Sequence, residues 1–266
     1  MSTAERFGWL VDAEEYFTAI RSSIGKAERE ILILGWDIDS RTRLIRDSDH
    51  PDYPSPLAET LESLVREKSG LRVHVLSWDF SVIYVLEREL LPARSFGWQN
   101  RERLHFELDG EHPVGASQHQ KIVVIDGVLA FSGGIDLTKA RWDTRRHAAG
   151  DERRKDPEGR SYRPFHDVQA VVSGPAAADL RELVNERWIN ATGESLPELD
   201  DEVSDTWPDD VSVRGKDVHT AIARTWIQPD NDRDIHEVLQ LYLDTIESAR
   251  QYIYIENQYF TSPEIT

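Results

Sequence analysis

The 266-residue chain is long enough to bury a substantial core, and 39% hydrophobic residues with eight Trp argue against wholesale disorder. The absence of cysteine excludes disulfides, thiolate metal sites and a Cys nucleophile. A net charge of −18 disfavours generic nucleic-acid binding, because an acidic surface repels a polyphosphate. The opening MSTAERFGWLVDAEEYF has no basic segment followed by an apolar one, so no secretory signal is read there and a cytoplasmic location is expected. The longest aliphatic runs, ILIL at 31–34 and IVVI at 122–125, are far too short to span a bilayer, which limits any expected membrane contact to the periphery.

In chain order, residues 13–30 place Phe17, Ile20, Ile24 and Ala27 at helical spacing, and EILILGW at 30–36 reads as a buried strand. The stretch 54–70 repeats this plan, with a Ser cap, Leu57, Leu61, Leu64 and Val65 on one face, and a Gly stop before the strand LRVHVLSWDF at 71–80. Such alternation predicts an α/β layered fold. KIVVIDG at 121–127 is a third strand whose Asp-Gly turn leads into VLAFSGG at 128–134, and HDVQAVVSG at 166–174 is a fourth. Residues 144–164 are polar and charge-dense, an exposed loop, and the run 151–155 reads as solvated. A helix is expected over 175–189, and the acidic, Pro-containing 194–210 reads as a linker with little to bury.

Beyond it, 238–262 again reads as helix then strand. At a constant offset of 222, Ile24 matches Ile246, Ala27 matches Ala249, Ile31 matches Ile253, Ile33 matches Ile255 and Ser40 matches Ser262. This is read as an internal duplication, against the plainer alternative that any two helix–strand pairs share such spacing.

The chemistry centres on HQKIVVID, which supplies His119, Lys121 and Asp126 as His-x-Lys-x4-Asp. Strand alternation would project His119 and Lys121 from one face, where both could reach a single phosphate. A neutral imidazole can attack phosphorus while an ammonium stabilises the non-bridging oxygens. Gly133 and Gly134 would let backbone amides approach a phosphate, and Asp136 would offer a carboxylate at the site's edge. A histidine on a strand is by itself more often an ordinary hydrogen-bonded core residue, so the flanking GGID and RWD decide the reading. Trp36, Trp78 and Trp142 suit either core packing or a lipid pocket. His105, His112 and His119 recur every seven residues, but without clustered carboxylates no metal and no cofactor is expected.

HQKIVVIDG, FSGGIDL and RWD together resemble the first His-Lys-Asp motif of the phospholipase D superfamily. The Gly-Gly-x-Asp form followed by Arg141, Trp142 and Asp143 is similar to the phospholipase D enzymes proper, whereas the nuclease branch usually carries Gly-Ser-x-Asn. FHDV at 165–168, GPAAADL to ERW at 174–188 and YIENQYF at 254–260 extend the resemblance over most of the chain. It implies a mixed β-sheet flanked by helices, with the first lobe at 1–193, a linker at 194–217 and the beginning of a second, similar lobe at 218–266. It also implies that His119 is the nucleophile, Lys121 a phosphate ligand, and Asp126 a structural anchor of the motif's backbone or lysine, with Arg141 expected to bind the phosphate or to stand at the site's edge. Asp167 would orient the imidazole, the alternative being a turn or cap aspartate. Glu256, Asn257 and Gln258 would border the active site from the second lobe.

Transfer at phosphorus also needs a group to protonate the leaving alkoxide, in this superfamily a second histidine. The offset places it at about position 341, past Thr266. Truncation of a two-lobed enzyme is therefore expected ahead of pairing between two single-motif chains, with weak or absent activity for residues 1–266 alone. The expected substrate is a glycerophospholipid at a membrane surface, hydrolysed or transphosphatidylated through a phosphohistidine. The alternatives are a nuclease or cardiolipin synthase-like transferase of the same superfamily, and a non-catalytic phosphate-binding domain.

Overall fold

The computed structural model describes residues 1–46, 56–79, 102–113, 116–199, 204–227, 234–257, 259 and 261–265. Its centre is an eight-stranded sheet with the order β4-β3-β2-β5-β6-β7-β1-β8. The strands are β1 (Ser2–Val11), β2 (Glu30–Gly35), β3 (Arg72–Trp78), β4 (Leu104–Asp109), β5 (Ile122–Ile125), β6 (Leu129–Gly133), β7 (Val168–Ser173) and β8 (Gly215–Thr220). β2, β3 and β4 run parallel to one another, and the remaining pairs are antiparallel. This is an α/β fold built on a mixed sheet flanked by helices.

Both faces are covered, which is why β2 is apolar almost throughout rather than alternating. Ile31 and Ile33 face α1 (Asp12–Lys26) and α2 (Leu57–Glu67), together with Val73, Val75, Val123 and Ile125. Leu32 and Leu34 face α3 (Pro175–Thr192), together with Ile122, Val124 and Trp188. In α1 the residues Ala13, Tyr16, Phe17, Ile20 and Ile24 form the buried stripe, with acids in the first turn and Lys26 in the last, as the helix dipole favours. Pro175 opens α3 and the left-handed Gly193 closes it, each residue suited to its end by its backbone restriction or freedom. The capping position of α2 is held by Pro56 without a side-chain cap bond; Ser55, the expected cap, lies outside the described residues.

β5 and β6 join through Asp126 and Gly127, whose φ values of 51° and 68° give the turn that matches strand twist. The Asp126 carboxylate accepts hydrogen bonds from the backbone N–H groups of Glu28, Arg29 and Glu30, each at 2.8 Å. It therefore anchors the entry to β2 rather than its own motif or Lys121, at the end of β5 opposite His119.

Three expectations are corrected. The 194–210 stretch is not a free linker: Trp207 is buried in the main core, Lys26 Nζ donates to its carbonyl at 2.7 Å, and β8 extends the first sheet along β1. One large aromatic with a place on α1 and β1 outweighs the surrounding acids. The 151–155 run is not wholly solvated either, because Arg154 is buried against Asp143 at 2.9 Å. A partnered guanidinium tolerates burial where an isolated one does not. Residues 251–257, expected as a strand, carry no strand assignment. Among the described residues they have no neighbouring strand to pair with, and a lone strand leaves its amides unsatisfied.

The two helix ends matched at the 222-residue offset share their local geometry. α4 (Glu237–Ser248) ends on Ala249 with φ −62° and ψ 141° and an N–H bond to Ile246, while α1 ends on Ala27 with φ −56° and ψ 136° and an N–H bond to Ile24. Burial differs: Ile24, Ile31 and Ile33 are core residues, whereas α4 has no buried residue and Ile253 is 54% exposed.

Replacing Asp126 with Ala should destabilise the chain by about 3 kcal/mol, since three backbone donors lose a charged acceptor. Asp126→Asn, which keeps one acceptor oxygen and tolerates positive φ, should cost less. Urea midpoints of the three proteins provide the check.

Candidate active site

His119 and Lys121 lie immediately before β5 rather than within it, since the strand begins at Ile122. They nevertheless line one cleft of about 200 Å³, together with Gly133. Its other walls are Leu180 and Leu183 of α3 and the 222–225 segment, which sequence reasoning did not connect to the motif. The apolar spacing of α3 signals a buried face but not which part of it borders a cleft.

Lys121 is buried, and its Nζ is held by Asp136 Oδ2 at 3.3 Å and by the His119 carbonyl at 2.9 Å. Asp136 Oδ1 in turn accepts from Trp36 N–H at 2.8 Å and Asp37 N–H at 3.3 Å. Asp136 thus sits beneath the site as the counter-ion of Lys121, not at its edge. Burial pulls the Lys121 ammonium below its ordinary range and pushes Asp136 up, while their mutual attraction opposes both shifts.

The His119 ring is open to solvent on one side and meets the edge of Trp36 on the other, with centroids 5.9 Å apart. Trp36 stacks on the buried Trp78 at 5.7 Å, whereas Trp142 is a core residue. Loss of solvent, then the nearby Lys121 and Arg141 cations, lower the His119 imidazole to about 4. At neutral pH it is uncharged, with a lone pair available for attack. Arg141 lies over the Phe165 ring at 5.0 Å. Among the described residues its guanidinium has no carboxylate partner, so its donors remain available to an anion.

Other expected members are placed differently. Among the described residues no hydrogen bond joins Asp167 to His119; the Asp167 carboxylate accepts from Val168 N–H at 2.8 Å, a local cap. It contributes to the site through its field on Lys121. The two glycines answer a close-packing constraint: a Cβ on Gly133 would lie 1.8 Å from Gln169 Oε1, and one on Gly134 2.1 Å from Asp167 Oδ2. The Gly134 amide is already spent on the Val168 carbonyl at 3.2 Å. Glu256 and Asn257 lie on the exposed tail, away from the cleft walls, and Gln258 falls outside the described residues. His105 stacks on His74 and His112 accepts from Trp78 Nε1, so the seven-residue histidine spacing brings no common centre. The one potential metal-ligand grouping among the described residues, Asp12 with His147 and His166, lies beside Asp167 and apart from the cleft.

The His119 imidazole should titrate near 4, followed by its ring chemical shifts against pH. Lys121→Met should raise that midpoint, because removing a neighbouring cation makes protonation easier. A wild-type midpoint at 6.5 would contradict this electrostatic account.

Comparison with known proteins follows the same residues. The sequence model of the family described as Phospholipase D matches residues 111–264, more than half of the chain. Phospholipase D A of Dictyostelium discoideum is 28% identical over 291 residues, a match covering 95% of this chain and 21% of that protein. Phospholipase D alpha 1 of Zea mays is 26% identical over 327 residues, covering 94% of this chain and 40% of that protein. The chain therefore spans well under half the length of these relatives. Among solved structures, NucT from Helicobacter pylori superposes with a TM-score of 0.44 and 11% identity, over 69% of this chain and 97% of its own. Phosphatidylserine synthase of Haemophilus influenzae Rd KW20 gives 0.42 and 14%, over 70% and 39%. With its family match spanning the His119 motif and the strands and helix that follow, the chain belongs to the phospholipase D family.

Proposed function

We propose that this chain is the nucleophile-bearing half of a phospholipase D-type phosphodiesterase acting on glycerophospholipids. The observation that carries this reading is the uncharged His119 imidazole in one cleft with Lys121, with Arg141, which has no carboxylate partner among the described residues, close enough to act on both. His119 attacks phosphorus, forming a P–N bond as the P–O bond to the leaving alkoxide breaks. The cationic side chains stabilise charge on the non-bridging oxygens. Water or an alcohol then displaces the imidazole, completing hydrolysis or head-group exchange.

The alkoxide requires a proton donor, and a second histidine from a further lobe or another chain fills that role in this proposal. His112, which shares a smaller neighbouring cleft with His119, is unsuited: its Nε2 accepts from Trp78 and its Nδ1 donates to the Pro113 carbonyl. The bare apolar surface of α4 and of Tyr252, Ile253 and Tyr254 supports a missing neighbour. Lipid is favoured over nucleic acid by the net charge of −18 and by the apolar cleft wall of Leu180, Leu183 and Ile222. No helix among the described residues is long and apolar enough to cross a membrane, so the proposed encounter with lipid is peripheral.

A nitrophenyl phosphodiester tests the nucleophile without the missing acid, because nitrophenolate leaves unprotonated. The chain should release one equivalent in a burst and carry a phosphoryl group on His119, detected by mass spectrometry; His119→Ala should show neither. For the substrate class, the protein paired with a second lobe should cleave phosphatidylcholine vesicles and leave plasmid DNA intact. Cleavage of DNA alone would reverse the lipid assignment.

A further inference from the structure

We propose that the small polar cleft beside His119 is the head-group subsite of this protein and that it selects an uncharged, hydroxyl-bearing alcohol of the glycerol class. The assignment rests on the phosphodiesterase reading above, in which His119 is the nucleophile. The cleft has a volume of about 90 Å³ and adjoins the apolar-walled one, with His119, Gln120 and Thr225 lining both. Gln118 and Gln120 flank the nucleophile in the chain, Arg187 comes from α3, and Trp226 from the segment beyond β8.

Unmet hydrogen bonding marks this cleft. Among the described residues nine buried side-chain nitrogen or oxygen atoms have no partner, and four of them belong to its lining: Gln118 Oε1, Gln120 Oε1, Arg187 Nε and Trp226 Nε1. Such atoms are rare in a folded interior because burial without a partner is costly, so their concentration beside a nucleophile points to a ligand that completes them. Gln118, Arg187 and Trp226 are each at most 5% exposed, too enclosed for bulk solvent to do so. The orientation of Gln118 is fixed, since its Nε2 donates to the Gln120 carbonyl at 3.0 Å and leaves Oε1 as the open acceptor. Arg187 is held through Nη2 by the buried Asp109, which balances its charge and leaves Nε as a directional donor.

Two acceptors and two donors around one chamber match hydroxyl groups, each of which both donates and accepts. They do not match a quaternary ammonium, which does neither. Nor can such a cation use the aromatic face that commonly receives it. Trp226, the one Trp, Tyr or Phe among the lining residues, already has the Arg187 guanidinium 4.4 Å and the Arg224 guanidinium 5.5 Å from its ring centroid. His112 has both ring nitrogens engaged, by Trp78 Nε1 and the Pro113 carbonyl. Size sets the other limit: the chamber is smaller than the roughly 150 Å³ that admits benzene, so it takes a short alcohol and excludes an acyl chain. During displacement the leaving oxygen stands in line with the attacking nitrogen, and the bend at that oxygen turns the alcohol's carbons aside, where a chamber beside His119 can receive them. The diacylglycerol portion is left the wall of Leu180, Leu183 and Ile222. Phosphatidylcholine then remains a substrate, but a poorer one than phosphatidylglycerol.

The test is titration of the isotope-labelled chain with the soluble diesters glycerophosphoglycerol, glycerophosphoethanolamine and glycerophosphocholine. Binding is followed at the Trp226 indole N–H, whose resonance is identified by its loss in Trp226→Phe. The glycerol diester should shift that resonance and bind at least about tenfold more tightly than the choline diester, the equivalent of one to two net hydrogen bonds. Gln118→Leu, similar in volume, should weaken the glycerol diester roughly threefold to tenfold and leave the choline diester unchanged, so that selectivity narrows. A fold defect would weaken both alike. Trp226→Phe, read by calorimetry, should narrow selectivity in the same way by removing the indole donor. An unshifted indole resonance, as for a cleft that holds only water, would overturn the assignment, and so would equal affinities, preference for either nitrogen-bearing diester, or unaltered selectivity in both variants. The nitrophenyl burst tells the two proposals apart. A burst without diester selectivity sinks the head-group assignment alone, whereas selectivity without a burst upholds the cleft and sinks the nucleophile.

Discussion

An ammonium withdrawn from water needs an anion beside it, and the rest of the site follows from how Asp136 meets that need for Lys121. Leaving either partner of such a pair alone in the interior costs about 3–5 kcal/mol. Asp136 does more than neutralise: its second oxygen holds the backbone at Trp36 and Asp37, so the end of β2 is tied to the segment after β6. Trp36 is then in place to shield one edge of His119. One carboxylate thus fixes a cation, a chain crossing and an aromatic wall, and the imidazole beside them stays uncharged.

The aspartate that completes His-x-Lys-x4-Asp has a different task. Asp126 closes a tight turn and collects three amides at the start of β2, remote from the cleft. Asp126 and Asp136 therefore divide the work along one hairpin: the first sets the register of β5 against β2 at one end, and the second sets the cation at the other. Misplacement of either would move Lys121 relative to His119, since both lie on the same short approach to β5.

Much of this was legible in the sequence because apolar periodicity is strong where both faces of a strand or one stripe of a helix are covered. α1, β2, α2, β3, the β5–β6 hairpin, β7 and α3 all have such patterns. β1, β4 and β8 were missed for a common reason: each lies at or near a sheet edge and carries polar residues, as in GKDVHT of β8. The buried Trp207 and Arg154 were hidden inside acidic and charged stretches, where composition says solvent but single partners say interior. For the site, spacing placed His119 and Lys121 together. It could not reveal that Asp136 lies beneath Lys121, that Asp167 caps its own strand, or that Arg141 rests on Phe165, because those relations arise between elements distant in the chain.

The matched helix ends at Ala27 and Ala249 carry a lesson about how this architecture is assembled. One stands at the edge of a dense interior and the other beside uncovered surface, yet the chain leaves its helix along the same path. Surroundings so unequal cannot dictate a shared exit. The stop is encoded within a few neighbouring residues, and hydrophobic enclosure is added to a joint already shaped. The bend at such a joint can accordingly form before the packing that surrounds it in the finished fold.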